Sequence, residues 1–315
     1  MRGIWLAVMA FGCGEVKAHN ADAPPGHDSS VDSPMTDAPI DSMMQAQHLY
    51  VADDASPGHV FRYTLPLTAT STPDLTIPSP GSLVGAGFDP AGNLVVESNG
   101  GKLFVFVPPF SATSTPVATF QNGSGTAGGQ VVVTPTGTLI AALQSTTINE
   151  FTPPFTNNST ASGSITNAGL MSNFGVALDG QANLYAGNNV SGGGNLLMFQ
   201  PPYTNGAAVV TPGVTGTSYR SLAVSGQLLF AGSVGTATRV DVYNLPLTAT
   251  SAPAFSITAG TNTPEGVAVD ALGHLYVGNL GDKTVSRYSP PFSAQSQPDV
   301  MITTQASLFG LTVGP

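Results

Sequence analysis

The sequence predicts an all-β fold, a six-bladed β-propeller with four-stranded blades. Three observations predict it. A unit of about 45 residues recurs six times, which is the signature of stacked supersecondary units. Each copy has room for four short strands separated by Gly, Pro, Asn and Asp turns. The two ends of the repeating region are complementary parts of one unit. Composition agrees: with 37 Gly, 26 Pro and only 8% charged residues, the chain suits many short strands joined by turns.

In chain order, Met1-Arg2 is a small charged start, and Gly3–Gly12 is an apolar run of signal-peptide length, too short to span a bilayer. It ends at Ala10-Phe11-Gly12-Cys13, which resembles the lipobox of bacterial lipoproteins. The resemblance implies that Cys13, the single cysteine, carries lipid and becomes the new amino terminus. Gly14 after it implies the outer membrane or cell surface; a plain secretory signal would give a periplasmic or secreted protein. Residues 1–13 are therefore read as the signal and 14–47 as a tether. The tether is rich in Asp, Pro, Ala and Ser, so it buries too little apolar surface to offset ordering and is expected to be disordered.

Residues 48–315 form the propeller. Second strands begin at His48, Asn93, Thr138, Asn183, Gln227 and His274. Apolar first strands precede all but the first of them, at 85–89, 130–134, 175–179, 221–225 and 266–270, and another lies at 310–314. Third strands carry an aromatic at matching places (Tyr63, Phe106, Phe151, Phe199, Tyr243, Tyr288). Proline then stops each ladder. The large residue after it (Leu67, Phe110, Phe155, Tyr203, Leu247, Phe292) is expected to plug the gap between neighbouring units. Outer strands are clearest at 74–77, 117–120, 254–257 and 299–302. The first unit lacks a first strand and 310–314 is a spare one, so the carboxyl-terminal strand is expected to join the first blade and close the ring. The motifs after Asp89, Asp179 and Asp270 read as turns; one carboxylate per hairpin is too few for calcium.

The run from Pro264 to Asn279, P-x-G-V-A-V-D-x-x-G-x-L-Y-V-x-N, resembles the NHL repeat, and all six units share the pattern. NHL-type propellers include binding modules, lyases and relatives of gluconolactonase. The resemblance implies a site at the mouth of the central channel and, for the gluconolactonase-like branch, a divalent cation held there. Aligned units place Val84, Gly129, Phe174, Arg220, Glu265 and Phe309 in the ring at that mouth, with Asn173 and Tyr219 one step away. One carboxylate in the ring is few for a hard cation. Arg220, Glu265, Asn173 and Tyr219 are the ligand-binding candidates. Asp53, Asp54 and Glu97, neighbours by topology, are the weaker metal candidates. The polar residues ending the second strands, Asn188 and Asn279 among them, are expected to be solvated.

No catalytic residue is assigned. The chain lacks a G-x-S-x-G elbow, and Gly192–Gly194 lacks the Lys and helix of a phosphate loop. A net charge of −10 with scattered cations disfavours nucleic acid. The function expected is a monomeric binding or scaffolding module at the bacterial cell envelope, touching the membrane through its lipid alone. Its ligand would be a protein, a glycan or a small molecule, and no cofactor beyond that divalent cation is implied. The alternative is a lactonase- or lyase-type enzyme working at the channel mouth.

Overall fold

The structure is a computed structural model that describes residues 47–123, 127–190, 192–203, 206–304 and 307–315. Residues 1–46, which hold the expected signal, Cys13 and nearly all of the tether, lie outside the described residues. The remainder is all-β, six antiparallel four-stranded sheets arranged as blades. Blade 1 is ordered 308–314, 48–53, 58–64 and 75–79 from the centre outwards, so the final strand pairs with the first and closes the ring. Blade 2 comprises 83–88, 94–98, 102–106 and 118–121. Blade 3 comprises 128–133, 139–143, 147–151 and 163–166. Blade 4 comprises 173–178, 184–188, 196–199 and 208–210, with a ribbon of 193–194 and 214–215 beside it. Blade 5 comprises 219–225, 228–234, 238–244 and 255–257. Blade 6 comprises 264–269, 275–279, 284–288 and 300–303.

The core lies between blades, in six apolar clusters. Each expected plug enters one cluster. Leu67 joins blade 6 side chains such as Tyr276 and Val285, and Phe110 packs against the cluster of blades 1 and 2. Phe155, Tyr203, Leu247 and Phe292 repeat this in the next four gaps. The proline before each plug is cis, from Pro66 in blade 1 to Pro291 in blade 6. One large residue per gap, recurring once per unit, is thus what the Pro-plus-apolar pair encodes.

The turns are as expected. Asp179 accepts the amides of Gln181 and Asn183, the Asn183 side chain and the Tyr185 hydroxyl. Asp270 does the same with Leu272, His274 and Tyr276. Burial pushes these two carboxyls up, and the hydrogen bonds outweigh it, holding both below the usual range.

Candidate functional site

Inner strands begin two residues earlier than the apolar pattern indicates, because each carries a bulge near its start. The unpaired step falls between Leu83 and Gly85, Gly128 and Val131, Asn173 and Gly175, Tyr219 and Ser221, Pro264 and Gly266, and opposite Ala52 and Asp53. The six ring residues sit in these bulges. A bulge re-aims its side chain out of the alternation of the strand, which is how one position per blade is presented at the channel mouth. Second strands end where first strands begin, so their last residues share this face.

Four ring positions are closed off: Val84, Phe174 and Glu265 are buried, as is Gly129. Arg220 and Phe309 are half-buried and are what solvent meets. Arg220 crosses the boundary of blades 5 and 6, donating from Nη1 to Glu265 Oε1 at 2.7 Å. Its Nε donates to Asn189 Oδ1 at 3.1 Å, and its guanidinium lies over the Phe174 ring, 5.4 Å from the centroid. The arginine is therefore held on three sides. Glu265 Oε2 is buried without a partner. Burial pushes this carboxyl up to about 7; Arg220 pulls it down and Asp54 adds to the rise.

The other two ligand candidates turn to structural work. Asn173 accepts the Leu143 amide at 3.2 Å and donates to the carbonyls of Ser145 and Thr147, stitching blade 4 to blade 3. Tyr219 packs into the core between blades 4 and 5, its hydroxyl 2.7 Å from Asp241 Oδ2 and 2.8 Å from the Tyr243 hydroxyl. Asp241, fully buried, is paired with Arg239 at 2.6 Å. Burial, with Asp241 beside it, drives the Tyr219 hydroxyl far above its usual range. The alternation of the strand explains the split: Tyr219 lies before the bulge and Arg220 within it.

The weaker metal candidates have separate partners. Asp53 accepts the His59 amide at 2.7 Å, with the His59 ring 3.6 Å away. Asp54 accepts the Ser82 hydroxyl. Glu97 accepts Asn122 Nδ2 at 2.7 Å. Among the described residues no group of three or more His, Cys, Asp or Glu is placed to hold a metal ion.

The second-strand ends are not solvated, contrary to expectation. Asn188 and Asn279 are fully buried. Asn188 accepts the Met171 amide and donates to Gly169 O and Asn195 Oδ1; Asn279 accepts the Asn262 amide and donates to Gly260 O and Ser286. They pin the loop entering each blade to its second strand, so their polar atoms satisfy buried backbone groups.

Two residues do work that the sequence did not indicate: Glu97, named only as a weaker metal candidate, and Gln130, placed only within an inner strand. Glu97 is fully buried where the other blades have Ala52, Ala142, Gly187, Gly232 and Gly278. The next blade makes room with Gly128, whose Cβ would lie 2.7 Å from Glu97 Cγ. Burial pushes the Glu97 carboxyl well above its ordinary value, and Asn122 and the Gly129 amide offset this only in part. Gln130 stands where other blades have Gly85, Gly175, Ser221, Gly266 and Gly310. Its Oε1 accepts the amides of Val176 at 3.1 Å and Leu222 at 2.9 Å, and its Nε2 donates to Leu222 O at 2.9 Å. One side chain from blade 3 thus ties together the inner strands of blades 4 and 5 within the channel. In both cases the signal was a polar residue in a column of small ones.

The fold is shared with solved structures. A protein from Lactobacillus plantarum is 13% identical with a TM-score of 0.59, over 86% of this chain and 100% of its own. A protein of unknown function from Bacteroides caccae is 10% identical with a TM-score of 0.60, over 86% and 99%. At such identities the likeness shows the fold alone. No protein-family model and no curated protein matches the chain.

Proposed function

We propose that the propeller is a ligand-binding module whose site is the channel mouth around Arg220, Glu265 and Phe309. The observation that carries this is the Arg220–Glu265 pair itself. It is the one charged pair in a ring otherwise filled by Val84, Gly129, Phe174 and Phe309, and it keeps an unpartnered carboxylate oxygen. A buried pair of this kind is a weak source of stability, so its presence at a bulge position favours recognition. The NHL-type repeat pattern is in keeping with a binding module. The protein is exported and held at the cell envelope by lipid on Cys13, with residues 14–47 as the spacer.

The test is a small-molecule screen by thermal shift against the wild type and an Arg220→Leu/Glu265→Leu double variant, which removes both charges together. Compounds that stabilise the wild type alone support the site; compounds that stabilise both proteins equally place the ligand elsewhere. For the anchor, Cys13→Ser releases the protein from membranes, and unchanged membrane association refutes it.

A lactonase- or lyase-type enzyme is the second reading. It is favoured by Glu265, a buried carboxyl pushed to about 7, the range a general acid or base needs. Turnover of a lactone panel that is lost in Glu265→Gln would establish it in place of pure binding.

A further inference from the structure

We infer that the channel mouth takes a positively charged amine, held against Glu265 and Asp54 beside the Phe309 ring. This rests on the mouth being the ligand site and names the chemical class that it selects. Arg220 is the one base in the ring, and it is already neutralised: Nη1 meets Glu265 at 2.7 Å, Nε meets Asn189 at 3.1 Å, and its face covers Phe174. Against that one cation stand two carboxylates. Asp54 follows the second strand of blade 1 and lies close enough for its charge to act on Glu265. Its Oδ1 takes the Ser82 hydroxyl.

The unmet demand at the mouth is for hydrogen-bond donors. Glu265 Oε2 is buried with no donor, although Glu265 itself is only 2% exposed. Leaving such an acceptor unmet is costly, and a bound donor recovers that cost. An ammonium supplies three donors and the missing positive charge. Phe309 occupies the ring position between Glu265 and Val84 and is half-buried, so it offers an aromatic ring to a neighbouring cation. A carboxylate ligand would approach two like charges, and a neutral polyol would leave the net negative charge uncancelled. The net charge of −10 adds a weaker long-range attraction for cations.

The charged groups acting on Glu265 are Arg220 from blade 5 and Asp54 from blade 1. An ammonium at Oε2 favours the ionised carboxylate. Binding therefore strengthens as pH rises through about 7, where burial has set this group.

Isothermal titration of the full chain with benzylammonium chloride, benzyl alcohol and sodium benzoate tests the inference. Benzylammonium is expected to bind, more tightly at pH 8 than at pH 6. Glu265→Gln is expected to weaken it about tenfold and Asp54→Asn severalfold, with circular dichroism unchanged. Benzylammonium bound equally well by Glu265→Gln overturns the inference. So does benzoate binding that is lost in the Arg220→Leu/Glu265→Leu variant, although the mouth then remains the site. If none of the three binds, the amine inference fails and the thermal-shift screen alone decides the mouth.

Discussion

Gln130 of blade 3 reaches Leu222 of blade 5, accepting its amide and donating to its carbonyl, both at 2.9 Å. The inner edges of propeller blades carry backbone groups with no strand to pair with, and here one amide side chain satisfies three of them, counting Val176 N. Gln130→Ala removes all three bonds. The expected loss is about 1–3 kcal/mol in urea denaturation, tempered by water reaching the freed groups. An unchanged midpoint would show that the bridge is not stabilising.

Glu97 and Gly128 form a size-matched pair. Gly128→Ala places a Cβ 2.7 Å from Glu97 Cγ and closer still to backbone, so overpacking of about 1–3 kcal/mol is expected. Adding Glu97→Ala to Gly128→Ala should not restore full stability, because Asn122 then loses its 2.7 Å acceptor and the backbone contact stays. Thermal denaturation of the two variants checks the order.

Glu265 makes stability depend on pH with a definite sign. Its folded value, about 7, lies above the ordinary 4.5. Its contribution is therefore fully present below pH 4.5 and is lost as pH rises through 7, a change on the order of 3 kcal/mol. Glu265→Gln is expected to flatten that part of the stability–pH curve. An identical curve in the variant would mean that the carboxyl ionises freely in the folded protein.

Tyr219 and Asn173 are expected to matter to folding and not to ligand. Tyr219→Phe leaves Asp241 and Tyr243 short of one hydroxyl and costs about 1–2 kcal/mol. Ligand affinity of the folded variant should match the wild type. A tenfold loss of affinity with unaltered stability would return Tyr219 to the site.

The architecture was legible because it is written in repeating residues. The Pro-plus-apolar pair, the Asp turns and the spare final strand each mapped to a plug, a hairpin and ring closure. Arg220 and Glu265 were legible for the opposite reason: they differ from their column, and alignment put them in adjacent blades. The bulge was not legible, since one extra residue breaks the period of two from which strands are read. That is why Tyr219 and Arg220, neighbours in sequence, part ways in the structure. The buried Asn188 and Asn279 looked like loop residues because the loops they hold are bound through backbone groups, which leave no mark in a sequence.

Chemical-shift mapping of the labelled propeller with the first ligand found locates binding at the channel mouth or away from it. Shifts are expected to concentrate at Arg220 Nε and the amides of Asp54, Asn189, Glu265 and Phe309. Shifts concentrated instead at the groove of about 480 Å³ between the turns of blades 2 and 3, lined by Pro90, Val107, Val117 and Phe155, would contradict it.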